Sequence, residues 1–528
     1  MKKGGKIALT IFCILLIVGL ALFVSADVLL SRLVKSEIDK AFTNLPIGEA
    51  SCGDIHIRLF SGTAEVQDLR FSYPPALEIE VEKVEVGRFF YSALLARQIV
   101  ISDLRLQRPK ATVVYDSKHP DKMFPEVHDS SLVRIGELFE SISLSRLKIT
   151  GASLALRDTA TGLNIAIDSA SVRMHDLSYS WVDSAFQYND SLYHLDVSAF
   201  RCFEPKEPMQ IEITDIHTRN GKELTTGETH IKHAVSKKRL GDRRNEPVTW
   251  IDLQVESVRT SPFNLFRKAL AQDLTLDSLA VNVKRMDVFR DERHKPKAPF
   301  PMPQTILTQL PVTFFVGHVD AKVQQIDIEF ASTNVNCGEM HLNHIRAAVE
   351  HLTNKKGSIM HVYGNCPIDK KGKAKAEMHM TLNKACDWHI KMQVHSVNTN
   401  YLNSFLRPLI GMTCDCFIDT LTTEYKGNDA TANGTFRMLY HGLNVKVHKE
   451  DDIPYKIVTK NAGAITSFAN TMIPKSNPSK VDIHPRAYAV TWKRNEWQPF
   501  PMYLFGPCID GAKKTMLPGL YVHKQVKE

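Results

Sequence analysis

The chain has 528 residues, and its 66 Lys and Arg against 58 Asp and Glu give a formal net charge of +8. So small an excess argues against a dedicated nucleic-acid-binding protein, whose basic residues would concentrate on one element. A hydrophobic content of 43% supplies enough apolar side chains for a packed core and argues against disorder by composition.

The first residues predict a membrane anchor. Lys2, Lys3 and Lys6 precede an uncharged run from Ile7 to Val24. As a helix, such a run spans about 27 Å, close to the thickness of the hydrocarbon core of a bilayer. The lysines should hold the N-terminus in the cytoplasm and send the body across the membrane. The residues expected in the membrane include Ile7, Leu15, Leu16, Leu20 and Val24.

A cleaved signal peptide is the alternative, because Val24-Ser25-Ala26 is typical of a cleavage site. The apolar run is longer than a usual signal-peptide core, and an amphipathic stretch from Val28 to Ile38 follows it. Both features favour the anchor. Under either interpretation the body beyond Asp27 is exported.

From Ile55 onward, apolar and polar residues alternate with the period of half-buried strands. The alternation slips by one residue at intervals, for example at Gln67-Asp68, at Asp168-Ser169 and at Gln324-Gln325. Such a slip would turn the apolar set to the other sheet face unless a β-bulge corrects it, and a bulge also bends the strand. We therefore predict long kinked strands in a curved sheet. The candidate residues for its apolar lining are Ala64, Val66, Leu69, Phe71, Ile79, Val81, Val84, Val86, Val319, Val323, Ile326, Ile328 and Phe330.

Helical patterns are few. The sequence predicts short helices at Leu132–Ile142, Phe263–Leu270 and from Ser404, where Pro408 should limit the helix. A clearer amphipathic helix is predicted over Ala462–Ile473, ended by Pro474. Linkers are predicted at 237–247 and at 293–303, the second rich in proline. The resulting division is 1–26 (cytoplasmic stub and anchor), 27–292 (first β module), 293–303 (linker), 304–450 (second β module) and 451–528 (amphipathic helix and cap rich in proline and aromatic residues).

No sequence motif indicates catalysis or a cofactor. Phosphate-binding loops, nucleophile elbows and dinucleotide fingerprints are absent from the sequence, so we expect neither an enzyme nor a catalytic residue. The 21 histidines do not follow a metal-ligand spacing, so we expect no metal. Eight of the nine cysteines lie outside the apolar run, which leaves disulfides and free thiols both open.

The order of segments in the first module resembles the opening module of the AsmA-like family of envelope proteins, directly behind a membrane segment. The later repeats of that family are similar to Leu310–Phe330 and Leu402–Gly434. The segments that carry the likeness to the opening module are Ile55–Ile57, Ser61–Leu69, Val84–Val86, Ala93–Ile101 and Leu104–Pro109.

The resemblance implies a mainly β fold: an N-terminal transmembrane helix, then an elongated, curved antiparallel β-groove with a few short helices. It also implies an inner-membrane protein whose groove shields phospholipid acyl chains in the periplasm, with a role in phospholipid transport to the outer membrane and in outer-membrane biogenesis. Outer-membrane or periplasmic proteins are further expected partners, and nucleic acid is not.

Two alternatives stay open. A closed sandwich would leave no room for lipid and would suit a structural or assembly factor for outer-membrane proteins that binds through strand edges. The lysine-rich turn 370–375 protects a strand edge or attracts anionic lipid headgroups.

Overall fold

The computed structural model describes residues 28, 30–36, 38–40, 48–58, 61–119, 140–180, 182, 185–189, 192–219, 223–261, 273–310, 312–331, 338–368, 371–410, 412–448, 462–479 and 483–517. It divides into two compact units, Met1–Thr226 and Gly227–Glu528. Both units are mainly β, with strands stacked side by side and few helices among the described residues. The predicted linker 293–303 lies inside the second unit.

The first unit contains twelve of the described strands. They are β1 (Glu49–Ser51), β2 (Ile55–Arg58), β3 (Thr63–Tyr73), β4 (Leu77–Val86), β5 (Gln98–Gln107), β6 (Lys110–Tyr115), β7 (Ser141–Asp158), β8 (Asn164–Ser180), β9 (Ala185–Gln187), β10 (His194–Glu204), β11 (Met209–Arg219) and β12 (Glu223–Thr226). Residues 30–36 and 38–40 are helical, and Tyr91–Ala96 forms a 3₁₀ turn.

The second unit contains the remaining described strands and the named helices. The strands are β13 (Thr229–His233), β14 (Val248–Thr260), β15 (Asp273–Asp291), β16 (Thr313–Ala331), β17 (Gly338–Thr353), β18 (Ile359–Pro367), β19 (Lys373–Thr381), β20 (Trp388–Asn398), β21 (Met412–Gly427), β22 (Thr431–Val447) and β23 (Ala487–Lys493). The helices are α1 (Lys237–Arg244), α2 (Pro303–Thr308), α3 (Asn403–Ile410), α4 (Ala462–Met472) and α5 (Phe500–Met516), with a 3₁₀ turn at Thr399–Leu402.

Most neighbouring strands pair antiparallel, but the expectation of a purely antiparallel sheet is wrong. β7 pairs parallel with both β5 and β6, and β15 pairs parallel with β16. A parallel pair needs a crossover connection, because the chain must return to the same end of the sheet. In the second unit, the connection from β15 to β16 contains α2 and the proline-rich segment.

Some of the predicted kinks have a left-handed backbone residue, whereas neither Gln324 nor Gln325 has a positive φ. Asp68 and Ser169, at two of the predicted slips, have φ values of 50° and 47°. Positive φ is uncommon outside glycine and is tolerated best by short polar residues such as Asp and Asn. On β8 the next such residue is Asp176, and on β17 His344 and His351 are again seven positions apart (351 minus 344).

The kinks of neighbouring strands lie side by side, which corrects the expectation of ordinary one-residue bulges. Across the kink of β3, Gln67 lies opposite Lys83 and Leu69 lies opposite Val81, so the pairing register does not shift. Both strands turn over at the same level, and their apolar sets therefore stay on one common face. True register shifts occur elsewhere, between β7 and β8, β14 and β15, and β21 and β22.

The helical expectations have mixed outcomes. The predicted helix at Ala462–Ile473 is confirmed as α4, and the helix from Ser404 runs through Pro408 as α3. The predicted linker at 237–247 is instead mostly helix α1. Phe263–Leu270 lies outside the described residues, and so does most of Leu132–Ile142, whose end belongs to β7.

The proline-rich segment 293–303 is not a free spacer within the second unit. The backbone N–H of Phe300 donates to the carbonyl of Glu496 at 2.7 Å, and the guanidinium of Arg494 donates to the carbonyl of Phe300. Arg293 pairs with the buried carboxylate of Asp291 at 2.6 Å. These contacts fix the segment against its own unit.

Candidate functional site: an open apolar face of the sheet

The candidate lining residues of the first unit form a cross-strand ladder. On β3 and β4, each predicted apolar residue lies directly opposite another. The pairs are Ala64 with Val86, Val66 with Val84, Leu69 with Val81, and Phe71 with Ile79. Directly opposed residues stand about 4.5–5.5 Å apart at Cβ, so the ladder forms a continuous apolar strip across the kink at Asp68.

The candidates of the second unit lie in the centre of a three-strand ladder. Each of the five candidate residues of β16 lies opposite a nonpolar residue on β17. Four of them, all except Phe330, also lie opposite an apolar residue on β15. The partners on β17 and β15 are Val349 and Leu279 for Val319, Ile345 and Val283 for Val323, Leu342 and Met286 for Ile326, Met340 and Val288 for Ile328, and Gly338 and Arg290 for Phe330. The guanidinium of Arg290 lies 5.1 Å from the ring centre of Phe300, which covers this polar end of the strip.

Most of this apolar face is open. Of the thirteen candidates, Val81 and Val319 are buried, at 7% and 9% exposure, and the other eleven are half-buried. The inner face of a closed sandwich is covered by a second layer, which would bury these side chains fully. The strip is therefore a surface that side chains of the described residues cover only in part.

Among the described residues of the first unit, a buried apolar cluster forms around Met174, Tyr193, Leu195 and Val197. In the second unit, the apolar face is covered toward the C-terminal end. Here α5 packs on β22 and β23, and α2 also contributes to the packing. Trp388 meets Tyr425 and Tyr503 edge to face, with ring centres 5.7 and 5.5 Å apart. Burial raises the pKa of Tyr503 to about 12. This end of the strip is a solid core.

Close approach of α5 to the sheet depends on its glycines. A Cβ on Gly511 would stand 2.1 Å from Cγ of Phe436, and one on Gly506 would stand 2.3 Å from Nε1 of Trp492. The hydroxyl of Tyr425 donates to the carbonyl of Leu504. The helix therefore lies flat against the aromatic rings.

Helix α4 covers the free edge of β22 with polar side chains. The backbone N–H of Val445 donates to Oδ1 of Asn470 at 2.8 Å, and Nδ2 of Asn470 donates to the carbonyl of Val445 at 2.7 Å. One turn earlier, Thr466 accepts from the N–H of Val447 at 2.9 Å. The apolar stripe that suggested an amphipathic helix faces away instead, since Phe468 is 67% exposed and Met472 60% exposed.

The opposite face of the sheet carries charged pairs. Lys83 lies 3.1 Å from Glu65 and 2.8 Å from Glu85. Hydrogen bonds from Gln67 and Lys83 lower the pKa of Glu65. A hollow of about 880 Å³ lies in the first unit beside helical residues 30–36, and two smaller hollows lie among polar strand residues of the second unit. The reasoning from sequence missed the larger hollow, whose arginines are scattered over four short segments.

The polar clusters are ion pairs and hydrogen bonds. His341 bonds the buried carboxylate of Asp327 at 2.7 Å, and His389 bonds Glu424 at 2.8 Å. Within the described ranges, no group of three or more His, Cys, Asp or Glu is placed to hold a metal ion. The seven described cysteines are free thiols, and Cys13 and Cys337 lie outside those ranges.

The predicted anchor lies outside the described residues, and with it Ile7, Leu15, Leu16, Leu20 and Val24. Among the residues that the structure describes, no helix has the length and apolar character needed to cross a membrane.

Comparison with protein-family models finds no match, and comparison with curated proteins finds none either. The fold and the site define a mainly β protein with an open apolar strip on one face of its stacked strands.

Proposed function

We propose that this chain is a periplasmic lipid-binding protein of the AsmA-like kind, tethered to the inner membrane, that carries phospholipid acyl chains along an elongated β-groove toward the outer membrane. The observation that supports it best is the apolar strip, which continues across every described kink of β3, β4 and β16 yet stays half-exposed. No covalent step is involved, since the groove only shields the chains from water.

The physical basis is the transfer of acyl chains out of water. Burial of each CH₂ group is worth about 0.8 kcal/mol, so a chain of ordinary length gains considerable free energy from an apolar strip. The strip contributes a further favourable free energy, because contact with the acyl chain removes its partly exposed Val, Leu, Ile and Phe side chains from water. A passive groove can therefore hold lipid without any polar anchor for the chains.

The alternative, an assembly factor that binds proteins through strand edges, has less support. A binding edge needs unpaired backbone groups. On β22 the edge groups of Val445 and Val447 are bonded by α4, and on β2 the N–H of Ile57 is bonded by Ser31 at 2.8 Å.

The test uses the two faces of β16, with the slip at Gln324-Gln325 taken into account. A photo-crosslinking amino acid is placed at Val323 or Ile328 on the apolar face, and at Lys322 on the opposite face as the matched control. We expect cross-links to phospholipid, identified by mass spectrometry, from Val323 and Ile328 but not from Lys322. Equal labelling of both faces, or cross-links to protein alone from Val323, would reject a lipid groove.

A second measurement uses substitution. Val323→Asp should reduce the phospholipid that co-purifies with the chain, because it puts a charge on the strip, while Lys322→Asp should leave it unchanged. Circular dichroism of both variants separates lost lipid binding from lost folding.

A further inference from the structure

The hollow of about 880 Å³ in the first unit differs from the strip in its chemistry. It lies between one face of the N-terminal helical segment and strands β2 to β5, and its lining includes Ala64 and Val86 from the end of the strip as well as the charged residues. The helical segment contributes Val28, Ser31, Arg32 and Lys35, spaced as neighbours on one helix face. The volume falls within the range usual for small-molecule sites.

The helical segment is fixed to the sheet beside the hollow. Ser31 is buried, and its Oγ accepts the N–H of Ile57 at 2.8 Å. Lys35 lies 4.0 Å from Asp54. The helix residues and the strand residues that line the hollow therefore hold a defined arrangement.

The carboxylates that line the hollow already have basic partners. Asp54 has Lys35, and Glu65 has Lys83 at 3.1 Å. Glu85 has Lys83 at 2.8 Å and Arg105 at 3.6 Å.

The fourth carboxylate, Asp103, bonds Arg146. Burial alone would raise the pKa of Asp103, but the hydrogen bonds from Arg146 and Ser102 hold it below its usual value. All four acids thus have basic partners within the structure.

Three cations in the hollow have no such partner. Among the described residues, no carboxylate lies within 4.0 Å of the side-chain nitrogens of Arg32, Arg58 or Arg88, although all three line the hollow. Arg58 ends β2 and Arg88 follows β4, on the two sides of β3. The hollow therefore has an excess of positive charge that an anion would balance.

From this arrangement we infer that the hollow binds the phosphate of a phospholipid headgroup with a net negative charge, which the unpaired arginines favour over a zwitterionic headgroup. The guanidinium groups of Arg32, Arg58 and Arg88 donate to the phosphate oxygens, a geometry that the planar fork of arginine suits. The inference rests on the proposed function: Val28 follows the predicted anchor by four residues, which would place the hollow at the membrane surface, where lipid enters. The polar lining takes the headgroup, and the acyl chains belong to the apolar strip.

The test compares two triple variants that remove the same charge. The first is Arg32→Gln, Arg58→Gln and Arg88→Gln. The control replaces exposed cations of the same unit that have no ion pair among the described residues and lie away from the hollow: Lys118→Gln, Arg157→Gln and Arg173→Gln. The full chain in a neutral detergent is titrated with phosphatidylglycerol or phosphatidylcholine, and binding is followed by native mass spectrometry.

We expect the natural chain and the control variant to prefer phosphatidylglycerol, and the first variant to bind it about tenfold more weakly, as loss of three exposed charge contacts implies. Binding of phosphatidylcholine, whose choline cation offsets the charge of its phosphate, should weaken much less. An equal loss in the control variant, or no preference in the natural chain, would overturn the inference. Thermal melts of the variants test for unfolding. A melting temperature equal to that of the natural chain excludes unfolding as the cause of weaker lipid binding.

Glycerol phosphate and inorganic phosphate distinguish the source of the anion. If either binds as tightly as phosphatidylglycerol and is lost in the first variant, the ligand is a soluble phosphate and the lipid assignment is wrong. Phosphatidylcholine binding separates the two proposals. If it persists without a preference for phosphatidylglycerol, the headgroup site fails and the groove stands. If neither lipid binds, the groove itself fails.

Discussion

Asn470→Ala should loosen the edge of β22. The substitution removes two hydrogen bonds, at 2.8 and 2.7 Å, between the side chain and the backbone of Val445. At about 0.5–1.5 kcal/mol for each bond, the free energy that holds α4 against the edge should fall by roughly 1–3 kcal/mol. Because each 1.4 kcal/mol is tenfold, amide hydrogen exchange at Val445 should accelerate by about 5- to 150-fold where local opening governs it.

The control is Phe468→Ser on the outer face of the same helix. Phe468 is 67% exposed, so its loss should leave exchange at Val445 nearly unchanged. An amphipathic helix docked by its apolar stripe would behave in the opposite way. Faster exchange in Phe468→Ser than in Asn470→Ala would therefore refute the polar docking described above.

Three further predictions follow from buried groups. Gly511→Ala should destabilise the second unit by about 1–3 kcal/mol, because its Cβ meets an aromatic ring, whereas Gly463→Ala, with open space around it, should stabilise by about 0.4–1 kcal/mol. Asp158→Asn should destabilise at pH 7. Burial alone would raise the pKa of Asp158, but hydrogen bonds from Thr161 and Ser117 outweigh burial and lower it. The charged carboxylate therefore stabilises the folded chain at pH 7, and this stabilisation is lost as the pH falls below about 4. The hydrogen bond from Cys414 lowers the pKa of Cys416 to about 7, so alkylation of Cys416 should rise near that pH and shift upward in Cys414→Ala.

Each of these has a defined contrary result. Urea unfolding that gives both glycine variants the same sign would contradict the close packing of α5. A stability difference for Asp158→Asn that stays constant from pH 7 to pH 3 would show that its hydrogen bonds do not depend on charge. Alkylation of Cys416, followed by mass spectrometry, that is independent of Cys414 would show that the two thiols do not interact.

The strands and their kinks could be predicted from sequence because the signal is local. Alternation sets the face of each residue, and a slip at Gln67-Asp68 marks where the backbone must change. The parallel pairing of β15 with β16 could not be predicted, since it depends on a long connection that carries no periodic pattern.

The second helix of the C-terminal region was not predicted. The sequence analysis placed a cap rich in proline and aromatic residues after the amphipathic helix, and there the chain forms helix α5 over Phe500–Met516. Proline suits the first turn of a helix, as Pro501 does, but Pro507 inside it is normally disfavoured. Packing of α5 onto Trp388, Tyr425 and Phe436 overrides that local cost. The sequence did predict the position of α4. Hydropathy alone could not show that the polar side of this helix would pack against the edge of β22.

The aligned kinks constrain how such a protein can lengthen during evolution. A newly duplicated hairpin whose alternation did not turn over at the level of its neighbours would present hydrophobic groups correctly on one side of that level and to water on the other. Growth by duplication must therefore copy the position of the turnover along with the residues. Deletion of a single amino acid within a strand would turn the apolar side chains beyond it to the wrong face of the sheet. Loss of a whole matched hairpin would leave the remaining surface in phase.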